Sequence, residues 1–159
     1  MILSAARICK VRHAATAFDG VGALLEPGRW NSIGRRMVYT SECPALALLE
    51  IMVHADYELM HSYALFPLTF DDTLVEVVDP AALPPGWKFM LEPAWAPLQH
   101  IGTDWLESLR TPILRVPTVL VPDQYNYLLN PTHSDFAKIS IGPQQNLVPD
   151  PRLRNAPQG

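Results

Sequence analysis

The longest regular pattern of hydrophobic residues in the chain predicts a helix from Glu42 to His54. Apolar side chains recur there at intervals of three and four, which places them on one helical face. The positions at i, i+3, i+4 and i+7 are Leu46, Leu49, Glu50 and Val53. Ser41 is suited to cap this helix, and the opposite face is also apolar, so the helix is predicted to be buried on most sides. Glu50 is therefore a carboxylate at a position where a core residue is expected.

Short apolar segments predict strands on both sides of this helix. The segments are ILSAARICKV, RRMVYT, HSYALFPLTF, TLVEVVD, PILRVPTVLV and AKISIG. Pro67 assigns the third segment to a sheet edge or a bulge, and Pro117 interrupts the fifth. IGTDWLESLRT predicts a second helix, whereas TAFDGVGALLEPGRWNSIG and NYLLNPTHSDF predict loops and turns. Strands with few helices and no regular βαβ alternation indicate an α+β fold rather than a doubly wound sheet.

Length and composition fit one domain over residues 1–159. A chain of 159 residues with 48% hydrophobic and 18% charged residues has enough apolar material for one core. We expect that core within residues 7–141. Residues 142–159 hold four of the 16 prolines and few apolar side chains, which predicts a C-terminal arm that is loose or packs on a partner.

Charge and cysteine usage exclude several classes of protein. The net charge of −4, with no run of Lys or Arg, argues against nucleic-acid binding by this chain. There is no apolar run long enough to span a membrane, and MILSAARICK is interrupted too early by charge to be a signal peptide. Cys9 and Cys43 lack metal-ligand spacing and are expected to be reduced thiols. We therefore expect a cytoplasmic protein without a metal site.

Three polar residues are candidates for chemistry. Arg29, Tyr39 and Glu50 are nearly evenly spaced along a predicted loop, strand and helix, and such a unit can surround one cleft. A buried carboxylate must be paired or hydrogen-bonded. One interpretation is that Glu50 forms a structural ion pair with Arg29, Arg35 or Arg36, and the other is that it acts on a substrate. The residues alone leave both interpretations open.

The neighbouring aromatic and amide side chains also have two interpretations. Trp30 and Tyr39 are suited to stack on a flat ring or to pack in the core. Asn31 is suited to bond an amide or a ribose, or to close a turn. A second polar cluster in one predicted turn comprises Asn126, Asn130 and His133.

Two blocks of the chain resemble a known family. FDGVGALLEPGRWNSIGRRMVYTSECPALALLEIMVH resembles the signature of RES-domain proteins, and VPDQYNYLLNPTHSDFAKISI resembles the C-terminal motif of that family. The blocks are in the family's order, and the similarity extends from about Arg7 to Ile141. The combination of Gly-Arg-Trp-Asn, Leu-Leu-Glu and Asn-Pro-x-His is specific to this family.

The resemblance implies an ADP-ribosyltransferase-like fold of the diphtheria-toxin type, with a mixed sheet and short helices. RES proteins are toxins of bacterial type II toxin–antitoxin systems, and they act on NAD. We therefore expect growth arrest through cleavage of the nicotinamide–ribose bond, by hydrolysis or phosphorolysis. The implied partner is an Xre-type helix-turn-helix antitoxin that covers the active site, in a hetero-oligomer with toxin dimers. The alternatives are ADP-ribosylation of a specific host protein and a non-catalytic binding module on the same fold.

The resemblance also assigns residues. The family's arginine, tyrosine and glutamate map onto Arg29, Tyr39 and Glu50, which are therefore the expected catalytic residues. The expected NAD-binding residues are Arg29, Trp30, Asn31, Tyr39, Asp123 and Asn130. Two positions depart from the family: Pro27 stands where a glycine is frequent, and Asp123 stands at the best matching position of the family's serine. An acid at that position would weaken the binding of a diphosphate.

Overall fold

Eight strands within the described residues form one mixed sheet, in a computed structural model that describes residues 1–55 and 57–154. The strands are β1 (Ile2–Lys10), β2 (Val38–Ser41), β3 (Tyr63–Asp71), β4 (Val75–Val77), β5 (Ile113–Pro117), β6 (Tyr125–Leu129), β7 (Ser140–Ile141) and β8 (Gln145–Asn146). The α-helices of these residues are α1 (Val21–Leu25), α2 (Pro44–Met52) and α3 (Ala96–Ser108). The predicted α+β class is confirmed.

The sheet order places β2 and β6 near the centre. The order is β4-β5-β6-β2-β1-β3-β7, and β8 also pairs with β3. Only β4 and β5 are parallel among the described strands, and the other pairs are antiparallel. In this register Ser41 of β2 lies between Ala6 of β1 and Asn126 of β6.

Apolar side chains bury both faces of the central strands, since successive residues of a strand point to opposite faces. On β6, Leu128 packs with α3 through Leu98 and Trp105, whereas Leu129 packs on the other face with Phe70. Each of these five side chains is at most 2% exposed. This packing fixes the sheet from which the polar residues of the cleft project.

The sheet opens between β1 and β2. Their register is the single pair Ala6↔Ser41, whereas β1 pairs with β3 over nine positions. Beyond Ala6 the carbonyl of Tyr39 accepts a hydrogen bond from the Arg7 Nη1 (2.8 Å) instead of from a β1 backbone N–H. A side chain therefore bridges the gap that the separation of the two strands leaves.

Several elements predicted from the sequence are confirmed. The first strand, the strand within RRMVYT, the strand before Asp71 and the strand ending at Pro117 are present. Pro67 lies in β3 between the residues that pair with β8 and those that pair with β7. The N–H that proline lacks is therefore not needed for hydrogen bonds to either strand. The helix in IGTDWLESLRT is present but begins earlier, at Ala96, because Pro97 is accommodated in its first turn.

Two details predicted for α2 are wrong. Ser41 does not cap the helix, because its hydroxyl donates to Oδ1 of Asn126 (2.8 Å) and Cys43 occupies the N-cap position. The helix is also not buried on most sides. Leu49 is 42% exposed, and Val53, which directly follows the last residue of the helix, is 57% exposed.

Two predictions for the second half of the chain are also wrong. NYLLNP is not a turn as a whole, because Tyr125–Leu129 forms β6. Its apolar side chains alternate between the two faces of the sheet: Leu128 packs on the face that α3 covers, and Tyr127 and Leu129 pack on the other. The C-terminal segment is not loose as far as Arg154. The Gly142 N–H donates to the Pro67 carbonyl (2.7 Å), and β8 pairs with β3. The last five positions of the predicted arm, 155–159, lie outside the described residues.

Candidate active site

A cleft of about 640 Å³ lies where β1 and β2 separate. Its walls are the loop of residues 26–30, the middle of β1 and β2, the inner side of α2, and residues 117–120 at the end of β5 and just after it. Cavities of this size are typical of small-molecule and cofactor sites. The charged or titratable side chains in the walls are Arg7, Glu26, Arg29, Tyr39, Glu50 and His54.

The carboxylate of Glu50 is fixed in this cleft by neutral donors. Its Oε1 accepts one hydrogen bond from the Thr118 hydroxyl (2.7 Å) and one from the Asn126 amide (2.7 Å). Asn126 is oriented in turn by the Ser41 hydroxyl, which donates to its Oδ1. The Glu50 Oε2 accepts no hydrogen bond from the described residues, so one carboxylate oxygen is held and the other is open to a ligand.

The ion-pair interpretation of Glu50 fails for all three candidate arginines. Arg35 pairs with Glu107 on the surface, and Arg36 donates to the Asp19 carbonyl (2.9 Å). Arg29 donates to backbone carbonyls rather than to the carboxylate. Within the part of the chain that the structure describes, Glu50 therefore has hydrogen bonds but no salt bridge.

Arg29 lies across the cleft, held by the loop that precedes α3. Its Nη1 donates to the carbonyls of Trp87 (3.1 Å) and Met90 (3.2 Å), and its guanidinium carbon lies 5.5 Å from the centroid of the Trp95 ring. Burial lowers the pKa of Arg29, and the charge of Glu50 opposes that shift. The side chain remains a cation and presents part of its guanidinium to the cleft.

Tyr39 ties β2 to the loop that carries Arg29. Its hydroxyl donates to Oδ1 of Asn31 (2.6 Å) and accepts the Trp30 N–H (3.3 Å). Burial raises the pKa of Tyr39, so the phenol stays neutral at physiological pH. Gly28 is required beside this contact, because a Cβ there would lie 2.5 Å from the Asn31 Oδ1 and 2.7 Å from the Tyr39 hydroxyl.

Helix α3 supports the same loop from behind. The Gln99 amide donates to the Gly28 carbonyl (2.9 Å), and a Cβ built on Gly102 would lie 1.8 Å from the Trp30 carbonyl oxygen. Glycine at position 102 therefore allows the loop to lie directly against the helix. The position of Arg29 depends on this contact, although Gly102 is far from it in sequence.

Three of the predicted NAD-binding residues lie outside the cleft wall. Asn31 is 1% exposed and donates to the carbonyls of Ala23 and Glu26 (both 3.0 Å). Asn130 is equally buried and organises the turn after β6. Asp123 is exposed at the tip of the turn between β5 and β6, in the left-handed region (φ 56°) that short polar residues tolerate.

The three remaining predicted NAD-binding residues, Arg29, Trp30 and Tyr39, all line the cleft. The Trp30 side chain is nevertheless 3% exposed and packs in the core, with its ring centroid 6.4 Å from that of Trp87. Of the two interpretations that the sequence left open, core packing is therefore the one observed for Trp30, which also forms part of the cleft wall.

Sequence reasoning missed Thr118 and Arg7, and it placed Asn126 in a predicted turn, in a second polar cluster that was either a candidate site or turn chemistry. The available signal for Asn126 was its place before the apolar run Tyr127–Leu129, which is typical of a strand. The signal for Thr118 was weaker: a hydroxyl directly after a strand that ends in proline. Arg7 stood out only as a charge in the middle of the first strand.

The chemistry available to the cleft is electrostatic. It offers a fixed carboxylate, guanidinium groups and neutral hydrogen-bond donors. Residues 1–55 and 57–154 contain no group of three or more His, Cys, Asp or Glu side chains that could hold a metal ion. Over the same ranges, no helix is long and apolar enough to cross a membrane.

The fold and the cleft define an α+β domain with a nucleotide-sized site built around one carboxylate and facing guanidinium groups. Residues 4–150 match the RES domain, and the chain belongs to that family. It shares the ADP-ribosyltransferase-like fold of the RES domain.

Relatives with established names cover nearly the whole chain. It is 36% identical over 150 residues to "Toxin Res" of Yersinia enterocolitica serotype O:8 / biotype 1B, covering 93% of this chain and 97% of that protein. It is 36% identical over 145 residues to "Prs ADP-ribosylating toxin" of Sphingobium sp. strain YBL2, covering 89% of each. A "Toxin Res" of Pseudomonas putida KT2440 is 32% identical over 140 residues, covering 85% of this chain and 91% of that protein.

Proposed function

We propose that this chain is the toxin of a toxin–antitoxin pair and that it cleaves the nicotinamide–ribose bond of NAD. The observation that carries the proposal is the Glu50 carboxylate, which is held at one oxygen and open at the other in a cleft shared with Arg29. The names of the Yersinia and Pseudomonas relatives support the toxin role. The name of the Sphingobium relative, an ADP-ribosylating toxin, supports NAD as the substrate.

Release of nicotinamide breaks the bond between the pyridinium nitrogen and C1′ of the ribose, and the leaving nicotinamide takes the electron pair. Positive charge develops on the ribose, as it does in glycoside hydrolysis. A fixed carboxylate beside that charge stabilises the transition state more than the ground state. Glu50 supplies it, and the bonds from Thr118 and Asn126 limit its reorganisation. A nucleophile then gives a lone pair to C1′ and loses its proton to solvent.

Arg29 and Tyr39 act by binding and orienting the substrate. The guanidinium of Arg29 is suited to bidentate contacts with the diphosphate or the ribose. The neutral Tyr39 ring is suited to stack on the nicotinamide. Asn31 acts through its hydrogen bond with Tyr39. The hydroxyl of the family's serine corresponds better to the hydroxyl of Thr118 than to the side chain of Asp123. The exposed Asp123 carboxylate then has no effect on diphosphate binding.

Release of nicotinamide from NAD by the purified chain tests the proposal. Glu50→Gln and Arg29→Ala should each abolish the release and relieve growth arrest on expression. The surface pair Arg35–Glu107 offers matched controls, because Arg35→Ala and Glu107→Gln make the same changes outside the cleft. These controls should retain activity, since an exposed ion pair contributes only about 0–1 kcal/mol. Full activity of Glu50→Gln would contradict the assigned role.

The acceptor distinguishes NAD breakdown from the alternative of ADP-ribosylation, which the name of the Sphingobium relative favours. NAD labelled in the adenosine portion separates the two reactions. Label recovered as free ADP-ribose, or as its phosphorylated form, indicates breakdown by water or phosphate. Label retained on one protein indicates transfer. A chain that consumes no NAD in either assay would be the non-catalytic binding module.

The proposed partner is an Xre-type helix-turn-helix antitoxin that covers the cleft in a hetero-oligomer with toxin dimers, and the proposed location is the cytoplasm. The rim of the cleft supports a covering partner, because Leu91 is 73% and Val53 57% exposed there. A free NAD-consuming site would also harm its host. The antitoxin encoded beside this chain should co-purify with it and suppress nicotinamide release. Undiminished release from that complex would contradict the proposed covering.

A further inference from the structure

The Ser41 hydroxyl begins a chain of hydrogen bonds that ends on the Glu50 carboxylate. Ser41 donates to the Asn126 Oδ1 (2.8 Å), and the Asn126 Nδ2 donates to the Glu50 Oε1 (2.7 Å). Both donors therefore point toward the carboxylate. Within residues 1–55 and 57–154 no hydrogen bond joins Ser41 to Glu50 directly, so the Asn126 amide is the link between them.

The direction of this chain follows from the carboxylate at its end. An ionised carboxylate accepts hydrogen bonds but cannot donate them, so the Nδ2 end of the Asn126 amide must face Glu50. The Oδ1 end then faces Ser41, whose hydroxyl rotates to become the donor. Hydrogen bonds in such a chain polarise one another, so the bond from Ser41 strengthens the bond that Asn126 makes to Glu50.

Strand register places Ser41 where it reaches Asn126. Ser41 is the residue of β2 that pairs with both neighbouring strands, through Ala6 of β1 and Asn126 of β6. It is 4% exposed, although it belongs to the cleft wall. Its single hydroxyl proton is donated to Asn126, so Ser41 has no proton left to donate to a bound substrate. This geometry favours an action through Asn126 over direct contact with a ligand.

We propose that Ser41 is a positioning residue for the reaction, because it fixes the Asn126 amide and thereby the catalytic carboxylate of Glu50. The proposal rests on the proposed cleavage of NAD and adds a residue that acts without touching the reacting atoms. Glu50 stabilises the charge of the transition state, so loss of the Ser41 hydroxyl should lower kcat. The substrate-binding residues Arg29 and Tyr39 are not part of this chain, so KM should not change.

A double-mutant cycle measured by nicotinamide release tests the assignment. Ser41→Ala should lower kcat by about 3- to 10-fold, as expected for one hydrogen bond, and leave KM within about 2-fold of the original value. In an Asn126→Ala background the same change should have no further effect, because the amide that transmits it is gone. Ser108→Ala is the matched control, since it removes a hydroxyl that donates to the Trp105 carbonyl (2.8 Å) at the end of α3, outside the cleft wall. It should retain both kcat and KM.

Two kinetic results would overturn the assignment. An equal loss of kcat in both backgrounds indicates that Ser41 acts independently of Asn126. A rise in KM with unchanged kcat indicates that Ser41 binds the substrate. If Ser41→Ala does not fold, Ser41→Cys takes its place, because a thiol is a weak donor of similar shape, and it should show the same loss of kcat.

The side-chain amide signal of Asn126 in NMR spectra tests the chain of hydrogen bonds without an enzymatic readout. This signal is assigned by its absence from Asn126→Ala. It should shift in Ser41→Ala and stay in place in Ser108→Ala, and an unshifted signal in Ser41→Ala would overturn the assignment. An original chain that releases no nicotinamide refutes the proposed function instead, and the NMR result still decides whether Ser41 fixes Asn126.

Discussion

Replacing Gly102 with alanine tests whether α3 positions the loop that carries Arg29. The new Cβ would lie 1.8 Å from the carbonyl oxygen of Trp30 and 2.9 Å from its carbonyl carbon, and both are backbone atoms that cannot rotate away. Restoring an ordinary contact of 3.4 Å requires the loop and helix to separate by about 1.6 Å.

Two effects follow from that separation. Overpacking of this kind destabilises by about 1–3 kcal/mol, and the better helix propensity of alanine returns about 1 kcal/mol, so we expect a net loss of about 0–2 kcal/mol. The loop movement also displaces Arg29, and a misplacement of about 1 Å is enough to lower activity by about 100-fold. Urea denaturation followed by tryptophan fluorescence measures the first effect, and nicotinamide release measures the second.

Gly22→Ala is the matched control, because it makes the same change in α1 with no atom within 4 Å of the new Cβ. That variant should be as stable as the original chain or more stable by about 0.5–1 kcal/mol. If Gly102→Ala unfolds at the same urea concentration as Gly22→Ala and releases nicotinamide at the original rate, the close packing of the loop on α3 has no role in the site.

Two further residues give sharp expectations. Thr118→Val removes a donor to Glu50 and should lower nicotinamide release by about 10-fold. Thr118→Ser keeps the hydroxyl and should retain most of the release. An equal loss in both variants would contradict a role for the hydroxyl. Tyr39→Phe leaves the buried Asn31 Oδ1 without its donor and should lower the free energy of unfolding by about 1–3 kcal/mol in urea; a change below about 0.5 kcal/mol would argue against the contact. Because burial raises the pKa of Tyr39 above the 10.0 of a free phenol, its contribution to stability is complete below pH 10 and is lost as the pH rises through the raised value. The free energy of unfolding should therefore fall above pH 10, less steeply in Tyr39→Phe than in the original chain.

Periodicity alone located α2 and the unusual carboxylate on it. It could not show what holds that carboxylate, because Thr118 and Asn126 reach Glu50 only through the pairing of β5, β6 and β2. Such contacts between distant segments depend on strand register, which short local patterns do not fix. The prediction of NYLLNP as a turn failed because its Asn-Pro ending was given more weight than the alternating residues before it.

The resemblance to the RES family drew attention to Arg29, Tyr39 and Glu50, and the structure places all three in one cleft. Asp123 was assigned by aligning a short motif in which a shift of a few residues changes the result. The fold provides the criterion that the alignment lacked, because Thr118 contacts Glu50, whereas Asp123 is exposed at a turn tip and does not line the cleft. Arg7 was outside any motif, and its position depends on where β1 and β2 separate.

The short strands at both margins of the sheet determine how the chain behaves without a partner. An unpaired strand offers its backbone as a template for aggregation, and very short edge strands are one way to prevent this. Here β4 has three residues, and β7 and β8, with two residues each, cover parts of the nine-residue β3. The segment after Gly142 thus protects against edge-to-edge association. By this argument the chain would stay dispersed, rather than assemble through its sheet, when the proposed antitoxin is absent.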